Sequence, residues 1–452
     1  MSGKNMDLFK KFLQDLGKYS KGEITINEVR SSISRMNQFL YQTYADLGTT
    51  TEALEGEEFQ YFSEFHKFWE QYHKEILNPQ IDENQCALVA DVLHDIFIKF
   101  KAKPFYELYN TYSLKTEEIC KIRYFSANQD FRGTRDFENL FEKYREDPSI
   151  FDIKNINQNP EDFLKNIGIT GLSQNDKRVK YAITASQILI NNKIEPYDFL
   201  SFCNNDIEEV RNLLIDNRGS GFGNKKTDMF LRDMVVLGVW KKPKNFDKID
   251  VASDINTTKV ALRSRILKTD IILISSFLDI FCYQYGLIDQ MNALAWRKVW
   301  EIWSHKYPKE CIESPCLIDY IVYRVIGKDF CKESLCIFEC ETKKHTFKWH
   351  SGRNKTCQIC YKNKIKNKAY IIDKILPCTD SEGYIVIEQS IFVSGNNPLL
   401  PGIKECPFEV VCQPKGKIFR KLNSPKSISI LGQTGWESAK TEIDEGGGGL
   451  MS

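Results

Sequence analysis

Residues 213–231 of this 452-residue chain read LLIDNRGSGFGNKKTDMFL. An apolar helical segment ends within this stretch, a glycine-rich turn follows, and a second amphipathic segment begins after Gly223. Glycine permits the positive φ angles and close backbone approaches that tight turns need. A turn of this kind leaves free backbone amides at the start of the next helix, and such amides bind phosphate. The stretch therefore predicts a helical hairpin that grips a phosphate, with a plain turn between two packed helices as the alternative.

A second segment, IDVASDINTTKV at residues 249–260, places Asp254 just before a predicted helix. Helix capping, by Asp254 or by Asn256, is the ordinary role of such a residue. Together the hairpin and this segment resemble the helix-hairpin-helix DNA glycosylase superfamily, in which a lysine opens the helix after the hairpin and an aspartate heads a later helix. In that superfamily a basic residue and a valine follow the aspartate, as Lys259 and Val260 follow Asp254 here.

The resemblance implies an enzyme that binds double-stranded DNA, flips out a base and cleaves its N-glycosidic bond. Asp254 would stabilise the cationic sugar, and Lys225 or Lys226 would attack it. The superfamily's lysine stands two residues after the second glycine, which gives Lys225, but it often precedes a threonine, which gives Lys226. The residues expected to contact DNA are Gly221, Phe222, Gly223, Asn224 and Lys259.

A lysine attacks a sugar only as the neutral amine, so its pKa must fall below the usual value. A neighbouring lysine and a helix start both disfavour the protonated form. The resulting Schiff base would add AP-lyase activity to base removal, whereas lysines that only contact phosphate would leave a monofunctional glycosylase. Two other functions remain open: a non-catalytic DNA-binding protein that keeps the fold, and a nuclease built on a C-terminal Cys/His cluster.

The resemblance extends upstream, to polar helix starts like those that line the base pocket in the archaeal 8-oxoguanine branch. The residues concerned are Tyr124, Phe125, Asn128, Gln129, Asp130 and Gln174. Helix caps and core aromatics are the alternative interpretation. The resemblance implies oxidised guanine as the substrate base. The added terminal regions suggest a bulky modified base such as those of phage DNA as the alternative substrate, and a role in DNA repair and a role in phage defence both stay open.

Ten of the 14 cysteines follow residue 310, which favours a metal site in a reducing compartment over a disulfide scaffold. The CQIC knuckle at residues 357–360 is typical of tetrahedral zinc sites. The predicted ligands are Cys340, His345, Cys357 and Cys360, with Cys336 and His350 as alternates. This zinc is predicted to be structural, and no organic cofactor is expected.

The net charge is only +1, but it is unevenly distributed. Residues 221–268 carry eleven Lys/Arg against five Asp/Glu, and residues 342–368 carry nine Lys/Arg and no acid. Two basic islands favour a localised polyanion-binding face, with solvated lysine-rich surfaces as the alternative. No apolar run is long enough to cross a bilayer, and the first residues lack the apolar stretch of a signal peptide. A soluble, monomeric protein of the bacterial or archaeal cytoplasm, associated with the nucleoid, is expected.

Helical periodicity dominates up to about residue 335, and β-branched residues follow, so the predicted fold is mainly α. Strands are predicted at residues 346–349, 370–372 and 384–387, with a turn at residues 380–383 joining the last two. The predicted division is an N-terminal helical domain at 1–105, a glycosylase domain at 106–335, a zinc-binding basic module with β-strands at 336–435, and a disordered tail at 436–452.

Overall fold

The computed structural model describes residues 14–15, 18, 25–32, 71–107, 111–130, 137–169, 175–270, 286–330 and 397–412, with the backbone of short strands between residues 337 and 418. This part of the chain is mainly helical, which confirms the predicted fold class at that level. Among the described helices, none combines the length and the apolar character needed to span a lipid bilayer.

The described α-helices are α1 (Glu83–Lys99), α2 (Lys103–Tyr106), α3 (Thr116–Ala127), α4 (Phe137–Glu146), α5 (Ile153–Gln158), α6 (Pro160–Asn166), α7 (Asn175–Asn192), α8 (Phe199–Phe202), α9 (Ile207–Asp216), α10 (Asn224–Val236), α11 (Ile255–Arg263), α12 (Gly286–Lys306) and α13 (Ile318–Tyr320). A π-helix follows α13 directly, over Ile321–Phe330. The strands are β1 (Gln80–Ile81), β2 (Leu267–Lys268), β3 (Ile337–Cys340), β4 (Thr346–Lys348), β5 (Ile372–Leu376), β6 (Ile385–Val386) and β7 (Lys417–Ile418).

Local capping explains where several helices begin. Asp206 accepts hydrogen bonds from the backbone N–H groups of Glu208 and Glu209 and so starts α9. Asp82 starts α1 in the same way, through the N–H of Gln85. Apolar spacing in the sequence predicts a helix over residues 207–216, which are the bounds of α9. The same spacing predicts a helix at residues 271–285, which lie outside the described residues.

The first described helices belong to the same packed body as the later ones. Strand β1 pairs with β2 in antiparallel register, Gln80 opposite Lys268, and α1 packs along α12. Phe105 and Trp303 meet in the core with ring centroids 5.4 Å apart. The predicted domain boundary between residues 105 and 106 therefore falls inside one hydrophobic core, because this apolar surface is buried only by joining the two halves.

A buried ion network joins α3, α10 and α13. Asp233 of α10 accepts bonds from Arg123 at 2.9 Å and from its neighbour Arg232 at 2.9 Å. Arg232 also pairs with Asp319. Burial opposes ionisation of Asp233, but the two guanidinium groups outweigh it and hold its pKa below the usual value. The network holds the C-terminal half of α10 in the core, and the first turn of the helix lies at the protein surface.

The C-terminal strands form two separate sheets. Strand β3 lies between β4 and β5, and β6 pairs with β7. The turn predicted at residues 380–383 lies outside the described residues, and the strands on either side of it, β5 and β6, belong to different sheets. Residues 397–412, inside the predicted zinc module, pack on the helical body instead: Phe408 is buried with its ring 6.5 Å from that of Trp296, and the Asn397 amide donates to Asp329.

Candidate functional site

The connection between α9 and α10 is a tight hairpin that depends on two glycines in left-handed conformations. Gly219 and Gly221 have φ angles of +89° and +81°. A Cβ on Gly221 would lie 2.7 Å from Cδ2 of Tyr181 and 2.9 Å from the carbonyl oxygen of Asn128. Both the backbone conformation and this close approach therefore require glycine at position 221.

Gly223 differs from Gly221, because nothing in the protein's own packing requires a glycine there. It has extended backbone at the start of α10, it is exposed, and a Cβ built on it would meet no atom within 4 Å. No side chain caps the first turn of α10. The start of this helix thus offers backbone N–H groups on an open surface, the arrangement that binds anions.

Phe222 anchors the hairpin from inside. Its side chain is 4 % exposed, and its ring lies 5.1 Å from Tyr124 and 5.9 Å from Phe230. The ring points into the core, whereas the DNA contact predicted for the hairpin is made by backbone amides. Any contact that residue 222 makes with a ligand is made by its backbone.

Arg211 of α9 clamps the first turns of α10. Its guanidinium binds the Asp228 carboxylate at 2.5 Å and 3.1 Å, and it donates to Oδ1 of the exposed Asn224 at 3.2 Å. Burial raises the pKa of Asp228 to about 6, although the Arg211 charge opposes this shift. Asn224, a predicted DNA contact, is therefore held in place at the open end of the helix.

The two candidate lysines face different surroundings. The half-buried Lys226 donates from Nζ to the carbonyl oxygen of Asn128 at 2.9 Å, and its Nζ lies 5.2 Å from the centroid of the Tyr181 ring. Burial lowers the pKa of Lys226 to about 7, the charge of Lys225 acts in the same direction, and Asp130 opposes the shift. Lys226 thus braces the hairpin against the end of α3.

Lys225 stands in the first turn of α10 and acts electrostatically on groups of two other elements. Its charge acts on Asp289 of α12 and on Lys328 of the π-helix, and the charge of Asp254 acts on both of these groups as well. Lys225 and Asp254 thus act on the same two groups, and Lys225, Asp254, Asp289 and Lys328 form one electrostatic cluster. Lys226, in contrast, is bonded to the carbonyl oxygen of Asn128.

Asp254 caps α11, as the ordinary interpretation of its position predicts. Its Oδ1 accepts from the backbone N–H groups of Asn256 at 2.8 Å and Thr257 at 2.7 Å. Its Oδ2 accepts, among the described residues, only from the side-chain amide of Asn256 at 3.3 Å. Asp250, four residues before Asp254, is engaged by Arg297 at 2.6 Å. Asp254 consequently keeps one carboxylate oxygen with little competition from the protein.

Asp289 is a second carboxylate in this cluster that the sequence did not reveal. It accepts a 2.9 Å hydrogen bond from Oγ of Ser253, the residue before Asp254. Burial raises the pKa of Asp289 to about 6, and the charge of Asp254 adds to the shift, against the opposing effects of Ser253 and Lys225. The available signal was its spacing, because Asp289 and Asn292 stand three residues apart on the helix face that contacts Ser253.

The π-helix supplies Tyr323 and Lys328, which sequence reasoning also missed. The Lys328 ammonium donates to the Tyr323 hydroxyl and lies 4.2 Å from the centroid of its ring. Burial raises the pKa of Tyr323 to about 12, and the charges of Asp254 and Asp130 act in the same direction. Burial lowers the pKa of Lys328, while Asp254 and Asp130 oppose the shift. A π-helix at such a cluster fits the frequent use of π-helical turns at functional sites.

The predicted pocket residues at the C-terminal end of α3 and just after it form two groups. Tyr124 and Phe125 are fully buried, and the Tyr124 hydroxyl donates to the Ala185 carbonyl oxygen at 3.0 Å, so neither ring can stack on a base and their assignment to the pocket is corrected to core. Asn128 and Gln129 are also buried, yet their side-chain carbonyl oxygens have no hydrogen-bond partner among the described residues. Asp130 is half-buried within the charged cluster.

Lys259 lies inside the protein rather than on a DNA-facing surface. Its side chain is buried, and Nζ donates to the Gly327 carbonyl oxygen at 2.8 Å. A Cβ on Gly327 would lie 2.8 Å from the Val322 carbonyl oxygen and 2.9 Å from Cβ of Asn256. Lys259 therefore ties α11 to the π-helix, and its predicted contact with DNA is replaced by this structural role.

Several predicted residues fall outside the described residues or are described only in backbone. Gln174, His345, Cys357, Cys360, Cys336 and His350 belong to the first group, and Cys340 lies in β3, whose backbone alone is described. Within the part of the chain that is described, no three His, Cys, Asp or Glu side chains are placed to share a metal ion. The zinc site therefore stays a prediction from the sequence.

Compared with known proteins, the chain matches no family model and no curated protein sequence.

Proposed function

We propose that the protein is a DNA glycosylase with AP-lyase activity, with its active site between the start of α10 and the start of α11. The observation that carries the proposal is the cluster of Lys225, Asp254 and Asp289 next to an uncapped helix start. An anion-binding helix end beside a lysine and carboxylates suits a reaction on the sugar of a DNA strand. Double-stranded DNA is the partner in this proposal, the acting form is a monomer, and the fold is the helix-hairpin-helix type.

The hairpin would hold the DNA backbone. Gly223 is exposed and leaves open space where a side chain would stand, so a phosphate can approach the N–H groups of α10 closely. Phe222 and Arg211 keep the hairpin rigid from behind. Such a contact fixes the register of the duplex without reading its sequence, which suits an enzyme that must examine any sequence for one altered base.

Lys225 is the lysine that we assign to the sugar. In this reaction its neutral amine forms a bond to C1′ while the bond from C1′ to the base breaks, and the base leaves with the electron pair. Opening of the sugar ring then gives an imine, and loss of a proton from C2′ expels the 3′ phosphate. We leave Lys226 out of this role because its ammonium is bonded to the Asn128 carbonyl oxygen. Asp254 Oδ2, which among the described residues accepts only the 3.3 Å bond from the Asn256 amide, would stabilise positive charge on the sugar.

The test is reductive trapping on a duplex that carries a defined abasic site. Borohydride converts the imine into a stable protein–DNA adduct, which is resolved by gel electrophoresis. We expect wild-type protein and Lys226→Ala to form the adduct and Lys225→Ala to lose it. Lys241→Ala is the control for loss of a lysine, because Lys241 is exposed and stands in the loop after α10 rather than in its first turn. Adduct formation by Lys225→Ala at the wild-type rate would contradict the assignment.

The base is identified by a second measurement. A duplex containing 8-oxoguanine is the first substrate, followed by mass spectrometry of bases released from DNA rich in hypermodified bases. Asp254→Asn is the matched control, because it keeps the shape of the cap and removes the charge. Release by wild type and not by Asp254→Asn is the expected result.

A non-catalytic DNA-binding protein is the second candidate, and one observation favours it. Asp254 Oδ1 is fully used in capping α11, which is the role the residue would keep in a protein that retained the fold without the chemistry. Under this alternative the wild type and Asp254→Asn bind duplex DNA equally, and neither forms an adduct or releases a base.

We also propose a structural zinc ion held by Cys357, Cys360, Cys340 and His345. Elemental analysis of purified protein should give close to one zinc per chain, and Cys357→Ser should lower this content. Chelation that removes zinc while adduct formation persists would agree with a structural role. Loss of all DNA cleavage on chelation, with the helical body intact, would instead support a nuclease built on this cluster.

A further inference from the structure

Asn292 of α12 is bonded to the N-terminal turn of α11 through both N–H groups of its side-chain amide. Its Nδ2 donates to Oγ of Ser253 at 2.8 Å and to Oγ1 of Thr257 at 3.1 Å. These two residues stand on either side of Asp254, one position before it and three after it. The Asn292 side chain is fully buried, so water does not compete for either bond. Asn292 therefore holds the segment that carries the Asp254 carboxylate from both ends.

The Thr257 hydroxyl connects Asn292 to Asp254 itself. It accepts a hydrogen bond from the backbone N–H of Asp254 at 2.9 Å and donates one to the Asp254 carbonyl oxygen at 3.0 Å. With the bond from Asn292, the one donor and two acceptor positions of this hydroxyl are all used, so its orientation is fixed. The backbone N–H of Thr257 also donates to Oδ1 of Asp254 at 2.7 Å. The main chain and the carboxylate of Asp254 are thus both held by Thr257.

Helix capping alone does not account for Asn292. Asp254 and Thr257 already form a complete capping box within one turn, whereas Asn292 reaches Thr257 from 35 positions along the chain. Among the described residues, the buried side-chain oxygen of Asn292 has no hydrogen-bond partner. A buried oxygen of this kind lowers stability and calls for an explanation other than stability. The two amide bonds that fix α11 on α12 provide one.

We infer that Asn292 is a positioning residue that keeps Oδ2 of Asp254 directed at the sugar. The inference rests on the proposed glycosylase function, in which this oxygen faces positive charge at C1′. Because Oδ1 is bonded to two backbone N–H groups, the direction of Oδ2 follows from the orientation of the turn. The first turn of a helix frays readily, and Asn292 bonds this turn to α12. A shift of about 1 Å in such a group can cost about 100-fold in rate.

The experiment compares binding of the full-length chain to two duplexes that differ at a single position. One duplex carries a tetrahydrofuran abasic analogue, which is neutral, and the other carries a pyrrolidine analogue, whose ring nitrogen is cationic. The ratio of the two affinities measures how well the Asp254 carboxylate meets positive charge on the sugar. A loss of stability or of phosphate contacts weakens both complexes alike and leaves this ratio unchanged. Asp254→Asn defines the ratio in the absence of the carboxylate charge.

Asn292→Leu keeps the approximate size of the side chain and removes both amide donors. We expect its affinity ratio to fall about tenfold below that of wild type, towards the ratio of Asp254→Asn. The bond from Trp296 Nε1 to the Thr257 carbonyl oxygen, at 3.4 Å, still holds α11 on α12 in this variant. Trp300→Phe is the matched control, because it removes a bond that α12 makes to the Ile312 carbonyl oxygen rather than to α11. It should keep the wild-type ratio.

The outcomes separate this inference from the proposed function. A ratio that falls in Asp254→Asn but stays at the wild-type value in Asn292→Leu would overturn the role of Asn292 alone. Equal ratios in wild type and Asp254→Asn would overturn the placement of Asp254 at the sugar, and this inference with it. Reductive trapping by the wild-type protein tests the lyase reaction independently of the ratio.

Circular dichroism checks that each variant folds. If Asn292→Leu does not fold, Ser253→Ala decides the matter, because it removes one of the two bonds from Asn292 and leaves the capping box complete. We expect about a threefold lower ratio in Ser253→Ala, and the double variant with Asn292→Leu should fall no further than Asn292→Leu alone. A wild-type ratio in Ser253→Ala would then overturn the inference.

Discussion

Lys226 donates its ammonium proton to the main-chain carbonyl oxygen of Asn128 across 2.9 Å. The same carbonyl oxygen lies 2.9 Å from the place where a Cβ of Gly221 would stand. The end of α3, the hairpin and the first turn of α10 are therefore tied at one point. Because the amine at this point is taken out of water, its protonation is coupled to folding.

The first prediction concerns that coupling. Burial lowers the pKa of Lys226 to about 7, so between about pH 7 and about pH 10 the unfolded chain holds a proton that the folded protein has released. The contribution of Lys226 to the free energy of unfolding should rise with pH over this range. In melting experiments at pH 6, 7.5 and 9, the Tm of wild type minus the Tm of Lys226→Met should increase as the pH rises. An exposed control, Lys241→Met, should give a constant difference.

The two hairpin glycines should respond oppositely to alanine. Gly221→Ala forces a side chain into a left-handed backbone and against the Asn128 carbonyl oxygen, which should cost about 1–3 kcal/mol or more. Gly223→Ala meets open space and should leave the urea midpoint near wild type. Its effect should appear in fluorescence anisotropy with duplex DNA, as an affinity about tenfold weaker, because the new methyl group stands where a phosphate approaches. Equal DNA binding by wild type and Gly223→Ala would contradict the proposed grip.

Loss of Arg211 should destabilise the protein more at pH 8 than at pH 5. Burial raises the pKa of Asp228 to about 6 even with the guanidinium beside it, so without Arg211 an unpaired buried carboxylate must be protonated or pushed out of the core. Arg211→Gln should cost about 3–5 kcal/mol at pH 8, where ionisation is favoured in the unfolded chain. The double variant Arg211→Gln with Asp228→Asn should recover much of this loss. A cycle of urea melts measures it, and equal losses at both pH values would argue against a buried charge.

Lys259 and Lys180 form a test of which lysines meet DNA. Lys259 is buried and bonded to the Gly327 carbonyl oxygen, whereas Lys180 is exposed and stands beside Gly219 of the hairpin. Lys180→Gln should reduce the slope of log affinity against log salt by about one, because one phosphate contact is lost. Lys259→Gln should leave that slope unchanged and lower stability by about 1–3 kcal/mol. A smaller slope of log affinity against log salt in Lys259→Gln would instead support the predicted contact of Lys259 with DNA.

The parts of the fold that depend on neighbouring residues could be predicted from the sequence. The limits of α9 follow from apolar spacing and from the Asp206 cap, and the hairpin follows from its glycines. Capping by Asp254 was equally local, since its partners are two and three residues away.

The remaining features depend on contacts that no local pattern encodes. Asp289 meets Ser253 from 36 positions along the chain, and nothing in its own segment marks it as part of the site. Lys259 donates to the carbonyl oxygen of Gly327, 68 positions away, and no local pattern distinguishes such a buried lysine from one at the surface. Tyr124 is a different case. An aromatic residue among polar neighbours fits a binding pocket and a hydrophobic core equally well in sequence, and its burial in the structure assigns it to the core.

The pairing of β1 with β2 has a consequence for folding during synthesis. Asp82 and Lys268 are 186 residues apart in the chain, and their ion pair joins the residue that caps α1 to strand β2. At the usual speed of a ribosome, about 10–40 s pass between the emergence of the two segments. During that interval α1 presents its buried face, including Val89 and Leu93, without the partner helix that will cover it. The nascent chain therefore holds an exposed apolar helix that a chaperone can bind until translation reaches α12.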